Sequence, residues 1–210
     1  MSELIARLSE HKVVPVIVVD KSEDILPLGD ILVENGLPVA EITFRSSAAE
    51  EAIRKLRAAH PQILIGAGTV LDEIQVVAAK NAGVDFIVSP GINTRTIEAC
   101  IKHDVAIIPG VSRPSDIELA LNYGIQLVKF FPAEAAGGIQ MLKALLGPYS
   151  MLKVMPTGGV SAHNIRDYLA IDAVTACGGS WMADKKLINT SNWREINTLV
   201  KDAVQLVNQS

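Results

Sequence analysis

The chain has 210 residues, 49% hydrophobic but only 4% aromatic, with 19 Lys plus Arg against 23 Asp plus Glu. That apolar content excludes a disordered chain, and a net charge of -4 gives no electrostatic footprint for nucleic acid, so no nucleic-acid partner is expected. Cys100 and Cys177 lack metal-ligand spacing and read as small buried residues of a reduced compartment, while the apolar run from Val13 to Val19 is too short to span a bilayer; a cytoplasmic protein without membrane contact is expected.

Residues 2 to 10 are predicted as a leading helix. Eight Val/Ile-rich runs follow: 13 to 19, 39 to 44, 64 to 69, 86 to 91, 106 to 111, 127 to 132, 153 to 158 and 173 to 179. Their starts lie 20 to 26 residues apart, room for a strand, a helix and two short loops in each repeat. Helix openings are marked by Ser22 with Glu23 and Asp24, by Asp72 with Glu73, and by Ser161. Gly36, Gly83 and Gly124 sit where helices would end. The stretches IQVVAAKNAG and DIELALNYG carry one apolar stripe each.

Eight β/α repeats joined by right-handed crossovers close most naturally as a (β/α)8 TIM barrel, a single α/β domain over residues 1–210. A doubly wound open sheet is the alternative. It usually carries a glycine-rich fingerprint after its first strand, and VVPVIVVDKSED has no glycine there.

Alternation along a strand assigns polar side chains to a face. In VAEITFR, the set Ala40, Ile42 and Phe44 is wholly apolar and must pack under helices, which turns Glu41, Thr43 and Arg45 toward the barrel interior or its mouth. A buried carboxylate is costly unless paired or at work. An ion pair that merely holds the core and a working acid/base group both remain open at this point. In LVKFFP, Lys129 sits in mid-strand between Val128 and Phe130; facing outward it would lie beneath a helix, so it is expected inside, near Glu41 and Arg45. Withdrawal from water and a nearby cation are the two conditions that favour a free, nucleophilic amine.

Thr69 ends the third run and brings a hydroxyl to the mouth. The seventh and eighth runs end in Thr157-Gly158-Gly159 and Gly178-Gly179-Ser180, where exposed backbone N–H groups at helix starts favour an anion, the usual phosphate position of such barrels. Glycines in these places also serve as plain loop punctuation.

VAEITFR, GAGTV, SPG, PGVS, KFFPAEAAGG, PTGGVS and GGSW follow one another along nearly the whole chain in a manner that resembles the class I 2-keto-3-deoxy-6-phosphogluconate aldolases, also called KHG/KDPG aldolases. The resemblance implies that Lys129 forms an imine with the 2-keto carbon and that Glu41 is the general acid/base. It implies that Arg45 and Thr69 hold the pyruvyl carboxylate and that Thr157, Gly158, Gly159, Gly179 and Ser180 take the distal phosphate. It further implies a small-molecule substrate, pyruvate and glyceraldehyde 3-phosphate as products, no metal or other cofactor, and a homotrimer. Cleavage of 4-hydroxy-2-oxoglutarate is a second activity of the family type.

Two other readings compete: a galactonate-type aldolase on the same barrel, and a sugar-phosphate epimerase or isomerase with Glu41 as base and Lys129 only electrostatic. A non-catalytic module for a phosphorylated ligand, with Glu41 and Lys129 as a structural pair, is a third. Arg113, after the fifth run, is expected to point to solvent. His11, His60, His103 and His163 fall on or beside predicted helices and are expected at the surface.

Overall fold

A computed structural model describes residues 2–209; residues 1 and 210, the ends of the domain expected over 1–210, lie outside the described residues. The leading helix α1 spans Ser2–His11 and is followed by β1 (Val13–Ile17), α2 (Ile25–Glu34), β2 (Val39–Thr43), α3 (Ala49–Ala59), β3 (Leu64–Gly68) and α4 (Glu73–Ala82). Then come β4 (Phe86–Val88), α5 (Thr94–Lys102), β5 (Ala106–Ile108), β6 (Gly110–Val111), α6 (Pro114–Asn122), β7 (Leu127–Phe130) and α7 (Gly138–Leu146). The order closes with β8 (Lys153–Pro156), α8 (Ile165–Leu169), β9 (Cys177–Gly179), α9 (Lys185–Asn189) and α10 (Trp193–Asn208).

The elements form where sequence chemistry favours them. Asp72 caps α4 by accepting the Gln75 N–H at 2.9 Å, and Gly83 ends that helix in the left-handed region at φ 94°. In α3, Ala49, Ala52, Ile53 and Leu56 are buried, the spacing of a single stripe laid on the strands. All five residues of β1, β2 and β3 are buried, which explains why these runs are almost continuously apolar.

The strands are parallel and curl into an α/β fold with helices outside. Six pair in the order β5-β4-β3-β2-β1-β9 and three in the order β6-β7-β8. The two sheets approach through isolated parallel bridges, Val154 with Val174 and Thr157 with Gly178. One continuous eight-stranded sheet, as expected from the repeats, is therefore not what is observed. The fifth run is divided by Pro109, which has no N–H to donate, into β5 on one sheet and β6 on the other.

Other expected boundaries also move. The eighth run is strand only from Cys177. The helix predicted from Ser161 begins at Ile165, because Asn164 Oδ1 accepts the Ser161 N–H at 2.9 Å and builds a turn first. Of the four histidines expected at the surface only His163 is exposed; His11 and His103 are half-buried, and His60 is largely covered, its Nε2 3.0 Å from Asp30. Arg113 does face solvent, its side chain 76% exposed. Among the described residues no helix is long and apolar enough to cross a membrane.

Candidate active site

The register sets Val16, Glu41, Gly66, Phe86 and Ala106 in one row across β1 to β5, and Gly110, Lys129 and Met155 in another across β6 to β8. Glu41 is wholly buried and Lys129 is 5% exposed, and they meet across the interior: Nζ donates to Glu41 Oε1 at 3.2 Å. Alternation along β2 and β7 thus turns both charged groups inward, as expected. The other carboxylate oxygen, Oε2, is buried and has no hydrogen-bond partner among the described residues.

Room for the carboxylate comes from a residue whose part the sequence did not reveal. A Cβ on Gly68 would overlap Glu41 Oε1 and stand 2.8 Å from its Cγ. Gly66 likewise leaves space for the Phe86 ring. The signal was present as the GAG of the third run, but its meaning depends on which side chains lie across the sheet.

Arg45 follows β2 and donates from Nε to Thr43 Oγ1 at 3.4 Å; Thr43 in turn donates to the Ile17 carbonyl at 3.0 Å. Among the described residues Arg45 has no acidic partner, which leaves its guanidinium for an anion. A cavity of about 180 Å³ is lined by Arg45, Phe131, Thr157, the paired glycines of both loops and Ser180. The Phe131 ring connects this cavity to the amine, with Lys129 Nζ 5.2 Å from its centroid. Arg45 and Ser180 also border an adjoining space of about 350 Å³ that reaches Lys185.

Gly158 and Gly159 adopt φ of 95° and 83°, a region other residues enter only with strain. Thr69 adopts a left-handed φ of 57° immediately after β3 and is half-buried. It does not line the cavity that joins Arg45 to the glycine loops. The site residues expected from sequence therefore fall into a buried pair, Lys129 with Glu41, a cavity that shares Phe131 with the amine, and Thr69 outside that cavity.

The family model described as KDPG and KHG aldolase matches residues 4–199. A 2-dehydro-3-deoxy-phosphogluconate aldolase of Haemophilus influenzae is 57% identical over 205 residues, covering 98% of this chain and 97% of the relative. The KHG/KDPG aldolase of Escherichia coli is 40% identical over 94% of this chain and 93% of its own. Among solved structures, the KDPG aldolase of Legionella pneumophila, with pyruvate captured as a covalent carbinolamine intermediate, superposes with a TM-score of 0.91 at 39% identity, covering 95% of this chain and 97% of that one.

Proposed function

This chain belongs to the KDPG and KHG aldolase family, and from that premise we propose a class I aldolase that cleaves 2-dehydro-3-deoxy-6-phosphogluconate to pyruvate and glyceraldehyde 3-phosphate. The observation that carries the reading is the buried Lys129–Glu41 pair, its amine facing the Phe131 ring that lines the cavity of Arg45 and the paired glycines.

Lys129 Nζ attacks the C2 carbonyl carbon, and the resulting carbinolamine loses water to form an iminium. Glu41 takes the proton of the C4 hydroxyl; the C3–C4 bond breaks, the aldehyde leaves, and the bonding pair moves through C2 to the iminium nitrogen as an enamine. The proton returns to C3, and hydrolysis releases pyruvate and the free amine. Arg45 and Thr69 hold the pyruvyl carboxylate. Thr157, Gly158, Gly159, Gly179 and Ser180 take the phosphate, which suits a loop whose backbone donors face a cavity. The unphosphorylated 4-hydroxy-2-oxoglutarate would be cleaved by the same pair, without the phosphate contacts.

We read the architecture as one closed (β/α)8 barrel domain over 1–210. What supports this is that the run from Ala106 to Val111 pairs with β4 at one end and β7 at the other, while an isolated bridge joins Thr157, the residue after β8, to Gly178 of β9. A cytoplasmic location is supported by two free, buried cysteines. We further assign a homotrimer, to be checked by sedimentation equilibrium.

Trapping tests the chemistry. Pyruvate with borohydride is expected to leave a stable adduct on Lys129. Folded protein with an unmodified Lys129 would overturn the imine mechanism.

A further inference from the structure

The paired glycines of the anion loop are the most pliable backbone in the site, yet anion binding needs their N–H groups fixed in direction before the ligand arrives. The loop is held through its carbonyls. Ala133 N–H donates to the Thr157 carbonyl at 2.8 Å, Glu134 N–H to the Gly158 carbonyl at 3.0 Å, and Asn164 Nδ2 to the Gly159 carbonyl at 3.1 Å. In a trans peptide the carbonyl and the following N–H point in opposite directions. Pinning the Gly158 carbonyl therefore aims the Gly159 N–H away from Glu134, and pinning the Gly159 carbonyl does the same for Val160. Neither N–H donates to another group of the described chain, and both residues line the cavity with Arg45 and Ser180.

Glu134 does more than supply its own N–H. A Cβ on Gly159 would stand 2.6 Å from Glu134 Cβ and Cγ, so the side-chain stem lies flat against that glycine. Its carboxylate accepts from the hydroxyl of Tyr168, which is wholly buried in α8 immediately beyond the loop. Burial, and next the Glu134 carboxylate, push the phenol up, so it remains a donor throughout the neutral range.

We propose that Glu134, braced by Tyr168, is a positioning residue for the Gly158-Gly159-Val160 donors and thereby sets the preference for phosphorylated over unphosphorylated keto acids. It rests on the phosphate assignment made above. Neither residue touches the reacting carbon, so their effect is confined to the far end of the substrate.

The test compares kcat and KM for 2-dehydro-3-deoxy-6-phosphogluconate and 4-hydroxy-2-oxoglutarate in Tyr168→Phe, Glu134→Ala and Glu134→Gln. For Tyr168→Phe and Glu134→Ala, KM for the phosphorylated substrate is expected to rise about 3- to 10-fold, the worth of one hydrogen bond, with kcat little changed. The unphosphorylated substrate keeps its kcat/KM, and inorganic phosphate inhibits its cleavage more weakly by the same factor. Glu134→Gln retains an acceptor for the phenol and stays near the parent. Equal losses on both substrates, or no change in KM, overturn the proposal. Glu134 is solvent-exposed, so Glu134→Ala keeps the test alive should Tyr168→Phe not fold. Ser180→Glu separates the two levels: it should raise KM for the phosphorylated substrate several-fold more than for the unphosphorylated one, which meets Arg45 but has no phosphate for Ser180. If it does so while the Glu134 and Tyr168 variants do not, the positioning role alone fails; if it leaves the preference unchanged, the phosphate assignment fails and the proposal with it.

Discussion

Replacing Gly68 by Ala would set a methyl group where the Glu41 carboxylate now stands. The new Cβ would lie 2.8 Å from Glu41 Cγ and overlap Oε1, whereas relaxed carbon–carbon contacts fall at ~3.5–4.0 Å. The carboxylate must therefore withdraw by about 1 Å, and the 3.2 Å hydrogen bond to Lys129 stretches or breaks. A displacement of that size at a proton-transferring group costs ~100-fold in rate, equivalent to roughly 2.7 kcal/mol on the barrier. Overpacking of the core should separately cost ~1–3 kcal/mol of stability, visible as a lower urea midpoint. The assay is pyruvate release measured alongside borohydride trapping of pyruvate. Trapping should persist because Lys129 sits on another strand, while carbon–carbon cleavage falls. A kcat within threefold of the parent would refute the view that the carboxylate's place is set by the glycine opposite it.

Glu41→Gln is expected to fold and to lose about 10²- to 10⁴-fold in kcat, measured by steady-state pyruvate release, since the amide keeps the shape but cannot take the proton. Cys100, pushed up to about 12 by burial, and Cys177, raised further for the same reason, should resist alkylation in native protein and react only after denaturation, as intact mass will record. His11 is held below its usual value chiefly by burial. Its contribution to stability is therefore complete above ~6.5 and lost as pH falls through the depressed folded value, and urea titrations at about pH 7.5 and 5.5 should show a smaller loss for His11→Asn than for the parent.

Much of this was legible in the sequence, and what was not has identifiable physical reasons. Glu41 and Lys129 stood out because a charge inside an apolar run can only be buried, and strand parity then gives its direction. The strand runs themselves were visible, apart from the late start of the eighth at Cys177 and the break at Pro109, whose ring and missing donor send Ala106–Ile108 and Gly110–Val111 to different sheets. Helix α8 starts late because the Asn164 side chain competes for the Ser161 N–H. The parts played by Gly66 and Gly68 depend on the Phe86 and Glu41 side chains across the sheet, which a linear reading does not bring together. Glu134 belonged to a motif already noticed, but its bond to Tyr168 spans 34 residues and two loops.

The pairing of β1 with β9 joins Val13 to Cys177 and Pro15 to Gly179, which governs when the molecule becomes an enzyme during its synthesis. About 160 residues separate the end of the first of these strands from the start of the last, or ~8–30 s of translation at 5–20 residues per second. Throughout that interval one edge of β1 has no neighbour, and an unpaired edge invites association with other nascent chains. The cavity draws Val16 from the opening strand and Ser180 from just past the closing one, so it is assembled last. The pocket therefore waits for β9, and a chain stopped before Cys177 would carry both the lysine and the glutamate yet lack Gly178, Gly179 and Ser180 from the cavity wall.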